Sequence, residues 1–270
     1  MILDNPVDPQ RVYAGLATAH EVLERANLPA EVEAVLLAGS FAHREADHLS
    51  DVDILVLAAD KATHDTLSDW QRLEAVERPL RRHLDTGEVY ANWIEPHGDR
   101  DFLRRDLMGA RVLFSRGEDG LQRLITDLWP DGGGNGTLPV WGPEAQRATW
   151  LSRVWWVLND QRDPGTQGRR ALNLAHTAVR YLGLPMPDTV EGLAEVLWRA
   201  GIVTRREAEW VYWRYWLWRN PLEDHTWHRH DQDWHSFITY GADLSRDFAW
   251  HTLKALERRY FERMAAGGGQ

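Results

Sequence analysis

Residues 130–143, PDGGGNGTLPVWGP, place five glycines and three prolines within fourteen positions, so neither helix nor strand is expected to pass through them. The hydrophobic patterning changes character across this segment. Before it, short apolar runs alternate with helical periodicity. After it, the pattern is helical almost to the end. A chain of 270 residues can bury two separate cores. The expected organisation is an α/β domain over 1–130, a linker over 131–143 and an all-α helical domain over 144–270.

Within the first part, Val12, Leu16, Ala19, Leu23 and Ala26 recur at four- and three-residue steps and predict one amphipathic helix that stops before Pro29. The runs VEAVLLAG and DILVLA predict two strands, joined through the polar stretch SFAHREADHLS with a short helix. A helix is expected around Leu67, Trp70, Leu73 and Leu80, then a strand at EVYANWI, a helix from Phe102 to Met108 and a short strand at RVLF. The sum is a small mixed sheet with flanking helices. In the second part helices are expected at 144–159, 167–183, 189–200, 204–219 and 243–264, with Thr204 and Glu207 forming a capping box.

Charge divides along the same line. Residues 1–143 hold 14 Lys and Arg against 25 Asp and Glu, a net of −11, whereas residues 144–270 hold 17 against 16, a net of +1. Nonspecific nucleic-acid binding draws on clustered cations at the phosphates, so only the second part can approach RNA without strong repulsion. Cysteine is absent, no apolar run has membrane-spanning length, and MILDNPVDPQ lacks the basic-then-apolar order of a secretory signal. A soluble cytoplasmic protein without disulfides is expected.

The chemistry of the first part centres on Gly39-Ser40 and on Asp51 and Asp53. Side chains two apart on a strand share a face, so the two carboxylates can hold the same divalent cations, Mg²⁺ or Mn²⁺. Gly39-Ser40 falls where a strand ends and a helix begins; glycine admits a close backbone approach to phosphate, and Ser40 adds a hydroxyl donor. Transfer of a nucleotidyl group from a triphosphate such as ATP needs this combination of phosphate cradle and paired carboxylates. A third carboxylate is needed as metal ligand or general base, and Glu88 at the head of EVYANWI is the expected one, with Asp85 and Glu95 as substitutes. The competing structural account is a strand-start turn with solvated acids.

The segment GSFAHREADHLSDVDILV resembles the signature of the DNA polymerase β-like nucleotidyltransferases, especially the minimal nucleotidyltransferases and the aminoglycoside adenylyltransferases. Gly39, Ser40, Asp51 and Asp53 match its fixed positions, and Glu88-Val89 sits where that family places its third acid. The resemblance covers residues 10–118 and implies a triphosphate substrate and divalent metal. One position departs from it: Arg44 stands where the family commonly has glycine. A side chain there either crowds the phosphates or binds them. His43 can contact phosphate, or be a solvated loop histidine.

In the second part, WVYWRYWLWRNPLEDHTW places Arg219, Asn220 and His225 in a short polar stretch after a dense aromatic run. Trp210, Trp213 and Trp216 are expected to form a packed helix face, with base stacking as the alternative. Arg219 and His225 have the chemistry for metal-independent RNA cleavage: an acid or base on the 2′-hydroxyl or leaving oxygen and a cation on the phosphate, with Asn220 orienting either. Six residues apart on a straight helix they would not converge, but Pro221 can break the helix between them.

The stretch ALNLAHTAVRYLGLPMPDTVEGLAEVLWRAGIV followed by RNPLEDH resembles the HEPN (higher eukaryote and prokaryote nucleotide-binding) domains that accompany minimal nucleotidyltransferases in bacterial toxin–antitoxin operons. Their Arg-polar-x-His ribonuclease motif corresponds to Arg219, Asn220 and His225. The resemblance implies an RNA substrate and a homodimer through this domain. The relatives' adenylylated tyrosine is replaced by Trp227, which has no hydroxyl to accept a nucleotide, so that control is either lost or moved to Tyr212, Tyr215 or Tyr240. His228, His230 and His235 fit no familiar metal spacing. Three functions follow as expectations: a transferase acting on protein or nucleic acid fused to a ribonuclease, in a stress or toxin–antitoxin setting; an aminoglycoside-type small-molecule adenylyltransferase; and an inert nucleotide-sensing module.

Overall fold

The computed structural model describes residues 6–58, 69–94, 100–117, 119–130, 138–159, 164–219 and 231–267. The chain divides into two compact units that meet between Gly142 and Pro143.

The first unit is built on a four-stranded mixed sheet of order β3-β2-β1-β4, made of Val32–Ala38 (β1), Val52–Ala58 (β2), Val89–Ile94 (β3) and Arg111–Ser115 (β4). β1 runs antiparallel to β2 and β4, and β2 parallel to β3. β1 and β2 are buried at six of their seven residues because helices cover both faces, which is why they read as continuous apolar runs and not as alternation. On one face Pro9–Leu16 (α1), Ala19–Arg25 (α2) and Asp69–Leu84 (α4) bring Leu16, Leu23 and Leu80 against Val35, Leu37, Ile54 and Val56. On the other, Arg100–Leu107 (α5) and Asp119–Leu128 (α6) bring Leu103, Leu107, Leu124 and Ile125 against Ala34, Leu36, Leu55 and Leu57. A four-residue helix, Gly39–Ala42 (α3), leads out of β1.

Two elements of this unit differ from the sequence reading. The single helix expected before Pro29 is broken at Ala17 and Thr18, where Thr18 Oγ1 lies 3.0 Å from His83 Nε2, and the His83 ring nitrogen also lies 3.0 Å from the Gly15 carbonyl. The break is fixed by a contact from α4. α6 was not expected at all. Its last carbonyls, orphaned in any helix, accept from α5: Arg104 Nε reaches Leu128 O at 2.7 Å, and Arg100 Nη2 bonds Asp127 O.

β3 lies at a sheet edge, where unpaired backbone groups invite another strand. Two side chains of α4 satisfy that edge. Arg81 donates to Val89 O through Nε (3.3 Å) and Nη2 (3.1 Å), Glu77 Oε1 accepts from Ala91 N–H at 2.6 Å, and Arg81 and Glu77 pair with each other at 2.6 Å. Arg81→Ala leaves a carbonyl and a carboxylate short of partners, so it is expected to lower stability by about 2 kcal/mol and to promote association. Urea unfolding and light scattering measure both.

The second unit is helical: Pro143–Asn159 (α7), Pro164–Leu182 (α8), Gly192–Arg199 (α9), Arg205–Arg219 (α10) and Asp231–Gly267 (α11). α8 and α11 each pack on both α7 and α10, and α9 packs on α8 and α10. Arg147 forks onto Glu257 (Nε–Oε1 2.9 Å, Nη2–Oε2 2.8 Å) and Trp150 Nε1 donates to the same carboxylate, tying α7 to α11. The capping box closes as expected, with reciprocal 3.2 Å bonds between Thr204 and Glu207. The buried Glu207 also meets His251 Nδ1 at 3.0 Å.

The aromatic run of α10 does not form one packed face. Trp210 is buried, whereas Trp213 and Trp216 are 51% and 38% exposed. Three-residue steps fall about 60° short of a full turn each, so a Trp-x-x-Trp-x-x-Trp series that begins in the core rotates out of it.

Candidate active site

The loop from α3 to β2 is folded by its own polar side chains. Asp47 Oδ1 accepts from Leu49 N–H (2.9 Å) and from the Ser50 hydroxyl (3.2 Å), and that hydroxyl accepts from Asp47 N–H at 3.0 Å. The Tyr13 hydroxyl holds Ala46 N–H from below at 3.2 Å. This turn delivers Asp51 and Asp53 to the start of β2, on the same side of the sheet as Leu55 and Leu57, which lie beneath α5 and α6.

β1 pairs Ala38 with Asp53, so the next residue, Gly39, stands directly over that carboxylate. Gly39 has φ +62°, and a β-carbon there would lie 2.2 Å from Asp53 Oδ2. Any other residue would be strained and would displace the acid. Glycine at this point therefore creates the space that Asp53 occupies, in addition to the phosphate approach expected of it.

Asp51 is 4% exposed. Burial, then the like charge of Asp53, pushes its carboxyl up from 3.8 to about 7. In the parallel register β2 to β3, Asp53 pairs with Tyr90, and Val52 N–H donates to the Glu88 carbonyl at 2.9 Å, which sets Glu88 beside Asp51 in register. The Tyr90 hydroxyl donates to Glu88 Oε2 at 2.8 Å, and its own ionisation is driven up by burial, then by Glu88, with Asp51 contributing. Tyr90 is thus a further member of the acidic corner, and the alternation in EVYANWI, which places Glu88 and Tyr90 on one face, is its sequence signal.

Among the described residues, no group of three or more His, Asp or Glu side chains is arranged to hold a metal ion. Glu88 lies beside the pair without completing a three-carboxylate cage. The donor set does fit a cation of the Mg²⁺ type, which is commonly bound through one or two carboxylates together with substrate phosphates. Two carboxylates that repel each other in a buried corner are relieved by a divalent charge.

The residues after Gly39 form a compact turn. Glu45 N–H donates to Ser40 O at 2.9 Å, and Ser40 itself is half-buried. Arg44 adopts φ 60°, the left-handed region that favours glycine, with its side chain exposed. The backbone therefore has the shape a glycine would take at the one position that departs from the resemblance, and the arginine carries the strain. His43 has a structural partner that the sequence did not reveal: its Nε2 meets Met108 O at 3.0 Å, and its ring stacks on Trp141 at 3.6 Å and 8°. Arg44→Gly relieves about 1 kcal/mol of backbone strain, partly offset by the freer unfolded chain. A small rise in the thermal midpoint by circular dichroism is expected; a fall would mean that the Arg44 side chain stabilises the fold.

The remaining candidates are placed as follows. Asp85 is paired with Arg11 on the surface, and Glu95 lies outside the described residues. Arg219 ends α10, with its side chain outside what is described, and Asn220, His225, Trp227, His228 and His230 lie outside the described residues altogether. His235 and Tyr240 are on the backbone of α11, Tyr215 is buried, and Tyr212 is 42% exposed. No helix among the described residues is long and apolar enough to cross a membrane. No protein-family model matches the chain, and no curated protein matches it.

Proposed function

We propose that the first unit is a divalent-metal-dependent nucleotidyltransferase that moves a nucleotidyl group, AMP from ATP being the leading case, onto a protein or nucleic-acid acceptor. The observation that carries this reading is the fit of Gly39 over Asp53 beside the buried Asp51, since that geometry excludes a side chain from the place where a triphosphate must meet the carboxylates. Asp51 and Asp53 would hold Mg²⁺ or Mn²⁺, which neutralises phosphate charge and activates the incoming hydroxyl when bound. Gly39 and Ser40 offer backbone and hydroxyl donors to the phosphates. Arg44, exposed on its strained turn, supplies a cation at their outer edge. Glu88, with one oxygen accepting from Tyr90, would take a proton from an acceptor hydroxyl through the other.

The helical unit is proposed to be of HEPN type, with Arg219, Asn220 and His225 as a metal-independent ribonuclease constellation and a homodimer as its assembly. The pairing suits a stress or toxin–antitoxin role. Alanine at Arg219 or His225 is then expected to abolish RNA cleavage by the full-length chain, and persistent cleavage would overturn the assignment. A second reading, nucleotide binding without turnover, is favoured by one observation: Glu88 does not complete a three-carboxylate group with the Asp pair.

The deciding experiment incubates the full-length chain with each labelled triphosphate and Mg²⁺ or Mn²⁺, and follows label into protein, RNA or neither. Metal-dependent transfer that is lost in Asp53→Asn supports the transferase. Binding without transfer selects the second reading, and no metal-dependent interaction with any triphosphate removes both.

A further inference from the structure

Arg44 is strained, and both of its neighbours in sequence are held by one residue. Trp141 stacks its ring on His43 at 3.6 Å, and its Nε1–H donates to Glu45 Oε1 at 2.9 Å. The segment that carries Trp141 is itself fastened, since Gly109 N–H donates to Pro139 O at 2.8 Å. A β-carbon at Gly109 would come within 2.7 Å of Trp141 Cβ and 2.9 Å of His43 Cδ2. Gly109, at φ +73°, thus opens the slot in which the two rings lie. His43 is further tied to the Met108 carbonyl at 3.0 Å. The turn is therefore gripped on both sides of the strained residue by a side chain from a segment nearly a hundred residues later in sequence.

We infer that Trp141 is a positioning residue for the proposed transferase site: it holds Arg44 in the left-handed conformation from which the guanidinium meets the triphosphate. This rests on the nucleotidyltransferase reading. In the absence of the strap, Arg44 relaxes to an ordinary backbone conformation and the cation leaves the phosphate edge, while Gly39, Asp51 and Asp53 stay in place.

Calorimetry of ATP in the presence of Mn²⁺ tests this on the full-length chain, with thermal melting run alongside. Trp141→Ala is expected to weaken ATP binding about tenfold, the scale of one charge-assisted hydrogen bond. Trp141→Phe keeps the stack but loses the bond to Glu45, and is expected to fall between. Arg44→Ala should weaken binding as much as Trp141→Ala, and the double variant no further, because both remove the same contact. A purely structural role would lower the melting temperature without moving the dissociation constant. Wild-type affinity in both Trp141 variants, or additive losses in the double variant, overturns the inference. Failure of the underlying reading is separate: ATP affinity of the wild type would then be absent or indifferent to Asp53→Asn, and the inference falls with it.

Discussion

Asp51→Asn is expected to make the metal-free protein more stable at pH 8 while lowering the proposed nucleotidyl transfer by about a thousandfold, the scale of removing a group that stabilises charge in the transition state. The stability arm follows from the carboxyl's raised value, about 7 against 3.8, caused by burial and then by Asp53. Below about pH 4 the group is protonated in both folded and unfolded chains and has no effect. Between about 4 and 7 the unfolded chain ionises first, so stability declines as pH rises. Above about 7 the full penalty applies, on the order of 4 kcal/mol. Acidifying the metal-free wild type from pH 8 to pH 5.5 should therefore recover part of its stability, and Asp51→Asn should remove that segment of the pH profile. Protons and metal compete for the same carboxylate, so Mn²⁺ affinity should fall up to about tenfold per unit as pH drops below 7. Denaturant unfolding with chelator across pH, paired with Mn²⁺ titration, checks both. An Asn variant less stable than wild type at pH 8, or Mn²⁺ binding indifferent to pH, would show that the Asp51 corner does not carry the stored charge.

The parts of this site legible in the sequence are those fixed by local geometry. Gly39-Ser40 at a strand end and the two-residue spacing of Asp51 and Asp53 each dictate a position before any tertiary contact forms, and the structure sets Ala38 opposite Asp53, with Gly39 next after the one and Asp51 two residues before the other. β1 and β2 were legible for a related reason: a strand covered on both faces has to be apolar nearly throughout. What the sequence did not disclose depends on residues far apart along it. His43 looked like a phosphate ligand or a solvated loop residue because Trp141, nearly a hundred positions later, is invisible to any local pattern. The broken helix before Pro29 has the periodicity of a continuous one, and only His83 from α4 marks the break. α6 is a different case: Leu121, Leu124, Ile125 and Leu128 have the spacing of a helix face, but the glycines at 117 and 120 and the Gly/Pro-rich stretch after it read as loop chemistry.

Gly168→Ala is expected to be the most damaging single methyl group in the helical unit. Glycine inside a helix is ordinarily a weakness, and alanine there should add stability by about 1 kcal/mol. At this position the added carbon would lie 2.4 Å from the Arg214 carbonyl carbon, 2.6 Å from Arg214 Cβ and 2.6 Å from the Tyr215 nitrogen. Two of those three are backbone atoms of α10, which cannot swing aside as a side-chain tip can. α8 and α10, which pack on each other and both carry buried residues, Ala171, Leu172 and Ala175 on the one and Val211 and Tyr215 on the other, would have to separate. Interiors packed to crystal density transmit such a displacement, and overpacking of this kind costs about 3 kcal/mol even after the helix-propensity gain. The unit's melting temperature should drop by about 10 °C, whereas Gly87→Ala, where an added carbon meets nothing within 4 Å, should leave melting nearly unchanged. The loss should also reach function unevenly. Arg219 lies at the end of the displaced helix, so the proposed RNA cleavage should be impaired, while the nucleotidyl transfer proposed for the first unit, whose core is separate, should persist at temperatures where the helical unit has melted. Scanning calorimetry together with the two activity assays distinguishes this from a uniform loss. Equal melting of Gly168→Ala and wild type would mean that α8 and α10 do not cross at this glycine.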